Sequence, residues 1–89
     1  MDIDFEDIRT VFENSLSHSI IESPISKKKF VDYSKRREGL AIVTQMLNDK
    51  NLPSPRQIRE FDTEQIKCLT RKLNEEYFSI PFGVQRNYL

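Results

Sequence analysis

Residues 61–80 read FDTEQIKCLTRKLNEEYFSI, and this stretch has the strongest secondary-structure pattern of the chain. Apolar side chains recur in it at steps of three and four, so they share one side of a 3.6-residue helix. They are Ile66, Leu69, Leu73, Tyr77 and Ile80, with Thr70 at the edge. Asp62 and Gln65 form a D-x-x-Q capping box, which marks the start of the helix. Pro81 disfavours helical geometry at Ile80 and ends it. We therefore predict an amphipathic helix over residues 63–79.

A short helix is predicted directly before the long one, over residues 55–60. Ser54 is its expected N-cap, Pro55 occupies the first helical position, and Gln57 at the third position completes an S-x-x-Q box. Only one or two residues separate the two helices. They must therefore meet at an angle, with Phe61 serving both.

Two further helices are predicted in the first half of the chain, over residues 5–21 and 27–49. Asp4 is the expected N-cap of the first, and Asn51 is a candidate for a left-handed residue after the second. Gly39 inside the second helix indicates a bend, a close helix crossing or a boundary between two shorter helices. The predicted positions of the buried side are Phe5, Ile8, Phe12, Leu16 and either Ser19 or Ile20 in the first helix, and Phe30, Tyr33, Leu40, Val43 and Leu47 in the second.

These elements predict one all-α domain over residues 1–89, a compact small bundle of three main helices, the short helix and an extended C-terminal tail. The tail, FGVQRNYL, carries too many apolar groups for a solvated end. It is expected either to pack back across the bundle or to present a surface to another chain.

Composition narrows the class of protein. Fourteen Lys and Arg balance fourteen Asp and Glu in 89 residues, so no global field attracts nucleic acid or membrane. The single cysteine, Cys68, excludes an intramolecular disulfide and argues against a cysteine-based zinc site. The N-terminus has no apolar signal-peptide core, and no apolar run reaches the roughly eighteen residues of a membrane span. We expect an intracellular, soluble protein, cytoplasmic or nuclear.

Charge is segregated along the first part of the chain. Residues 1–24 contain six acids and one base, whereas residues 25–37 contain six bases and one acid. The basic segment 27–37 includes Phe30 and Tyr33, a mixture suited to phosphate contacts and base stacking. Its first three lysines lie where a helix is expected to start, and cations there oppose the helix dipole, so an incoming anion would relieve the conflict. This segment has three interpretations. Its lysines stay hydrated while its aromatic residues belong to the core, or it binds an acidic protein partner, or it binds nucleic acid.

Other function classes find little support in the sequence. A helix-turn-helix over residues 54–77 conflicts with the very short junction and with the mixed charge of the long helix. His18 and Cys68 fall in different predicted helices with no signature that joins them, and Cys68 is expected at the border of the buried stripe. Calcium loops need a turn-forming glycine that the acidic N-terminus lacks. We predict no catalytic residue, no metal site and no cofactor.

The sequence thus favours a non-enzymatic protein–protein interaction module, either a self-contained regulator or inhibitor or the amino-terminal domain of a longer protein. Its partner is expected to be another protein with an acidic surface, with self-association through the tail as a variant. Nucleic-acid binding through residues 27–37 is the alternative. The predicted contact residues are the cations Lys28, Lys29, Lys35, Arg36 and Arg37 and the apolar tail residues Phe82, Tyr88 and Leu89.

Overall fold

The computed structural model describes residues 4–81, so the predicted tail over residues 82–89 lies outside the described residues. The described part is mostly helical, as predicted, and also contains one two-stranded sheet. The order is α1 (Phe5–His18), β1 (Ile20–Glu22), β2 (Lys29–Val31), α2 (Tyr33–Leu47), α3 (Pro55–Ile58) and α4 (Thr63–Leu73). A single π-helical turn, Asn74–Phe78, continues α4.

The hairpin of β1 and β2 corrects the predicted bounds of the first two helices. The first helix was expected to reach residue 21 and the second to start at residue 27, but residues 20–22 and 29–31 pair as antiparallel strands. Ile21 lies opposite Phe30 in this ladder. The physical reason is that consecutive β-branched and aromatic side chains favour strands, while Pro24 between them breaks any helix. Asp32, which the sequence interpretation missed, caps α2 by accepting from the backbone N–H of Ser34 at 3.0 Å.

The predicted caps elsewhere are confirmed. Asp4 caps α1, and both capping boxes, at Ser54 and at Asp62, form with their partners three residues on. The left-handed residue after α2 is Asn48, with φ of 50°, instead of the expected Asn51. Local side-chain chemistry therefore fixes where four of the helices begin.

The core is formed where the apolar sides of the helices meet. Its side chains come from all four α-helices and from the π-helical turn, which adds Phe78. The rings of Phe12 and Phe78 stack with their centroids 4.5 Å apart. The predicted apolar side of α4 is confirmed as its buried side. Within residues 4–81, the largest fully buried hydrophobic side chains are Phe12, Phe78, Leu40, Val43, Ile58, Ile66 and Leu73.

Gly39 lies at a close crossing of α1 and α2, which decides among the three predicted alternatives. A Cβ added at Gly39 would lie 2.2 Å from the Cβ of Ser15 on α1. No side chain larger than hydrogen fits at that separation. The helices can therefore approach closely only because position 39 is glycine.

The end of α4 departs from the predicted continuous helix. Beyond Leu73 the backbone widens into the π-helical turn, and Ser79 adopts a left-handed conformation with φ of 54°. The buried Asn74 side chain holds the chain that follows, because its Nδ2 donates to the carbonyl of Ile80 at 2.7 Å and its Oδ1 accepts from the Ile80 N–H at 2.8 Å. These bonds place Ile80 and Pro81 beside α1 and α4.

Candidate functional site

Exposed apolar side chains concentrate on the hairpin. Among the described residues, six large hydrophobic side chains are exposed, and four of them, Ile20, Ile21, Ile25 and Phe30, belong to residues 20–31. Ile21 and Phe30 are direct cross-strand partners and therefore project from the same face. Ile25, in the loop between the strands, is 93% exposed. Exposed large apolar side chains gathered in one segment of a folded chain indicate an interaction site more often than a scattered residue does.

Three lysines lie in the same hairpin as these exposed apolar side chains. Lys27, Lys28 and Lys29 are all exposed, and within residues 4–81 none forms an ion pair with an acid. They lie in the hairpin and not in the first turn of a helix, so the predicted conflict with a helix dipole does not arise. We call Ile21, Ile25, Phe30 and these three lysines the hairpin surface.

The loop that presents Ile25 has a defined backbone. Lys27 has a left-handed φ of 61° and donates its N–H to the carbonyl of Ser23 at 2.9 Å. The Ser23 N–H in turn donates to the carbonyl of Lys28 at 2.9 Å. The apolar tip is thus carried by a closed, hydrogen-bonded turn.

The remaining cations of the basic segment differ in environment: one is exposed to solvent, and two form hydrogen bonds within the fold. Lys35 is exposed in the first turn of α2. Arg36 donates from Nε to Ser19 Oγ at 3.2 Å and from Nη2 to the carbonyl of Leu16 at 3.4 Å, and its burial lowers the pKa of the guanidinium. Arg37 donates from Nη2 to the carbonyl of Phe61 at 2.7 Å. Both arginines tie elements together, and their role in partner binding stays a prediction.

The two aromatic residues of the basic segment have different environments. Phe30 is 52% exposed, which corrects the interpretation that both are ordinary core residues. Tyr33 is half-buried and packs against the core. The Arg36 guanidinium carbon and the Lys67 Nζ each lie 5.9 Å from the centroid of the Tyr33 ring, within the range of cation–π attraction.

A groove of about 740 Å³ opens between α1, α4 and the chain after the π-helical turn. Its apolar lining comes from Leu16, Ile20, Ile80 and Pro81. Its cations are Arg36, Lys67 and Arg71. Its acid, Glu13, accepts from Arg9 Nε at 3.1 Å, so that carboxylate already has a positive partner. The groove therefore combines an apolar wall with an excess of positive charge.

The sequence interpretation missed this groove because its lining comes from separate segments that only the fold brings together. One local signal was present. Lys67 and Arg71 are four residues apart on α4, so they project from the same side of the helix. Lys67 Nζ lies 3.3 Å from Glu64 Oε1, and this hydrogen bond raises the pKa of Lys67.

Tyr77 and Asp49 form a hydrogen bond that joins the π-helical turn to the loop after α2. The Tyr77 hydroxyl donates to Asp49 Oδ2, and this bond raises the pKa of Tyr77 to about 12. The same bond, together with the N–H of Asn51 at 2.9 Å, lowers the pKa of Asp49. The phenol is therefore neutral and the carboxylate charged near neutral pH.

The candidate catalytic residues His18 and Cys68 lie on different helices of the described part of the chain. His18 ends α1 and Cys68 lies on α4, and both are exposed, although Cys68 was expected at the border of the buried stripe. Residues 4–81 contain no group of three or more His, Cys, Asp or Glu that could hold a metal ion. Within the same residues no helix has the length and apolar character that a bilayer crossing requires.

The remaining predicted contact residues, Phe82, Tyr88 and Leu89, lie outside the described residues. Comparison with known proteins gives no relative: no family model, no curated protein and no solved structure matches this chain.

Proposed function

We propose that this protein is a non-enzymatic protein–protein interaction module, a regulator or inhibitor, that binds an acidic partner through the hairpin surface. The observation that carries the proposal is Ile25, which is 93% exposed at the tip of a hydrogen-bonded turn beside three lysines. An ordered loop holds this large apolar side chain in water. Its burial by a partner lowers the free energy and so favours binding.

The composition of the hairpin surface suits a protein interface. Interfaces combine an apolar centre with a polar rim, and Ile21, Ile25 and Phe30 supply such a centre. Full burial of a side chain of this kind contributes about 1.5–3 kcal/mol. The lysines at the rim would attract a partner rich in carboxylates and set its orientation.

The predicted role of the tail belongs to the same proposal. Phe82, Tyr88 and Leu89 would add an apolar anchor for the partner or for a second copy of the chain. Light scattering distinguishes these outcomes. A mass above that of the 10.6 kDa monomer, restored to the monomer by deletion of residues 82–89, would support self-association.

Nucleic-acid binding is retained as the second candidate because Phe30 is exposed beside Lys28 and Lys29. An exposed aromatic ring next to cations can stack on an unpaired base. The zero net charge and the inward contacts of Arg36 and Arg37 weigh against it. A gel shift that weakens steeply with salt, and is lost in the Lys28→Glu, Lys29→Glu variant, would favour this candidate.

Comparative capture from the native cell tests the proposal. The bait proteins are the wild type, Ile25→Ser and the matched control Ile42→Ser, whose side chain is 51% exposed on α2, away from the hairpin. Ile25→Ser removes almost no buried surface, whereas Ile42→Ser removes more, so destabilisation of the fold does not explain a loss of capture that occurs with Ile25→Ser alone. We expect an acidic protein to be retained by the wild type and by Ile42→Ser, and lost with Ile25→Ser.

The affinity of the purified partner for each variant is then measured. Calorimetry with Ile25→Ser should show a loss of affinity of about tenfold, which corresponds to roughly 1.4 kcal/mol. An equal affinity of the wild type and Ile25→Ser for every captured protein would refute the proposal.

A further inference from the structure

We propose that the groove between α1 and α4 binds a short peptide segment of a partner protein, one that combines carboxylates with aliphatic or aromatic side chains. This site is separate from the hairpin surface, and the inference does not depend on the proposed function. The argument rests on the charges at the groove, on its apolar wall and on the way Arg36 is held.

The charges at the groove favour an anion. The Arg71 side chain is exposed and forms no hydrogen bond or ion pair with another residue of the 4–81 range. Lys67 contacts the exposed carboxylate of Glu64, which water screens, and the ring of Tyr33, which carries no negative charge at neutral pH. The acid of the groove, Glu13, is neutralised by Arg9. A carboxylate entering the groove would meet uncompensated positive charge.

Arg36 is positioned in advance for such a contact. Its Nε and Nη2 donate to Ser19 and to the carbonyl of Leu16, which fixes the guanidinium plane. A guanidinium has five N–H donors, so these two bonds leave three that residues 4–81 do not use. A planar cation held in this way binds carboxylates at a smaller cost in side-chain entropy than a mobile lysine.

The apolar wall argues for a peptide over a free inorganic anion. Leu16, Ile20, Ile80 and Pro81 line the groove together with the cations. A small anion would leave these side chains in contact with water, whereas a peptide with an aliphatic or aromatic residue near its carboxylate would cover them. The groove volume of about 740 Å³ lies within the range of established ligand pockets.

Selection from a library of random short peptides, displayed on phage and panned against the full chain, tests the inference. We expect the enriched sequences to combine Asp or Glu with Leu, Ile or Phe. A synthetic peptide of the winning sequence, added to the ¹⁵N-labelled protein, should shift amide resonances of residues 16–20 and 67–71 and leave those of residues 24–28 unchanged.

Charge reversal on the exposed face of α4 gives the matched comparison. Arg71→Glu should weaken peptide binding by tenfold or more, whereas Arg56→Glu, the same change at an exposed site on α3, should change it less than twofold. Arg71→Lys keeps the charge and should retain most of the affinity. Equal melting temperatures of Arg71→Glu and Arg56→Glu would confirm that the loss is not caused by unfolding.

Three outcomes would overturn the inference. The first is a selection that yields no enriched peptide or yields peptides without acidic residues. The second is binding that survives Arg71→Glu or is lost with Ile25→Ser, because the peptide would then occupy the hairpin surface. The third is a peptide that binds only after residues 82–89 are deleted, because the groove would then be filled by the chain itself.

Discussion

Substitution of Gly39 by alanine should destabilise the protein, although in an ordinary helix the same change stabilises. The added Cβ would lie 2.2 Å from the Cβ of Ser15, whereas carbon atoms in contact are at least about 3.5 Å apart. A Cβ is fixed to its backbone and cannot rotate away. The two helices would have to separate by about 1.3 Å at their crossing, which would disturb the packing of the core residues beside it.

The magnitude follows from two opposing effects. Overpacking of this severity costs about 3 kcal/mol, the upper end of the usual range. Replacement of glycine by alanine in a helix returns about 1 kcal/mol through the better helix propensity. The free energy of unfolding should therefore fall by about 2 kcal/mol, and a domain of this size should melt roughly 8–16 °C lower. Thermal and urea unfolding followed by circular dichroism measure both quantities.

A double-mutant cycle isolates the contact. Ser15→Gly removes the opposing Cβ, so in that background Gly39→Ala should be neutral or stabilising, with a coupling free energy of about 2–3 kcal/mol between the two sites. Glu38→Ala, at the neighbouring exposed position of α2, is the control and should change stability by less than about 0.5 kcal/mol. A Gly39→Ala protein that melts at or above the wild-type temperature would refute the close crossing.

Two further predictions concern the end of α4. Asn74→Ala removes both side-chain hydrogen bonds to Ile80 and should lower the free energy of unfolding by about 1–3 kcal/mol, measured by urea unfolding; an unchanged midpoint would contradict the role given to this side chain. Because the pKa of Tyr77 is raised from 10.0 to about 12, its contribution to stability is complete below pH 10 and is lost as the pH rises toward 12. Tyr77→Phe should lack this alkaline loss, and, because the pKa of Asp49 is lowered, should also show a smaller loss of stability as the pH falls through the acid range; parallel stability profiles of the two proteins would refute the hydrogen bond.

The helix starts and the buried sides could be predicted because their causes are local. A capping residue acts on N–H groups two or three positions away, and the apolar side of α4 follows from the spacing of its own residues. Such local causes can be recognised from the sequence alone. The close crossing was one of three alternatives because Gly39 does not reveal which residue it faces.

The hairpin could not be predicted in the same way. Ile20 and Ile21 fit the end of one helical pattern, and Phe30 fits the start of another. Strand pairing between residues 20–22 and 29–31 depends on contacts that no helical period records. Asp32 was the usable sign, since Asp followed by a helical pattern is a preferred N-cap.

The candidate sites, too, could be predicted from the sequence only in part. The lysines of the basic segment were identified from composition alone, but the inward role of Arg36 and Arg37 depends on carbonyl groups of α1 and of the segment before α4. The groove requires residues from at least three elements. The density of charged residues can be read from a sequence. The groups with which each charged side chain pairs are set by the fold.

The exposed thiol of Cys68 has a practical consequence for every assay of self-association. The chain has one cysteine, so air oxidation can link two copies through a single disulfide and produce a covalent dimer unrelated to any interface. A reductant or Cys68→Ser removes this artefact. The same thiol is the sole cysteine available to a maleimide in the sequence, so it accepts one fluorophore at a known position on α4, one residue after the groove residue Lys67.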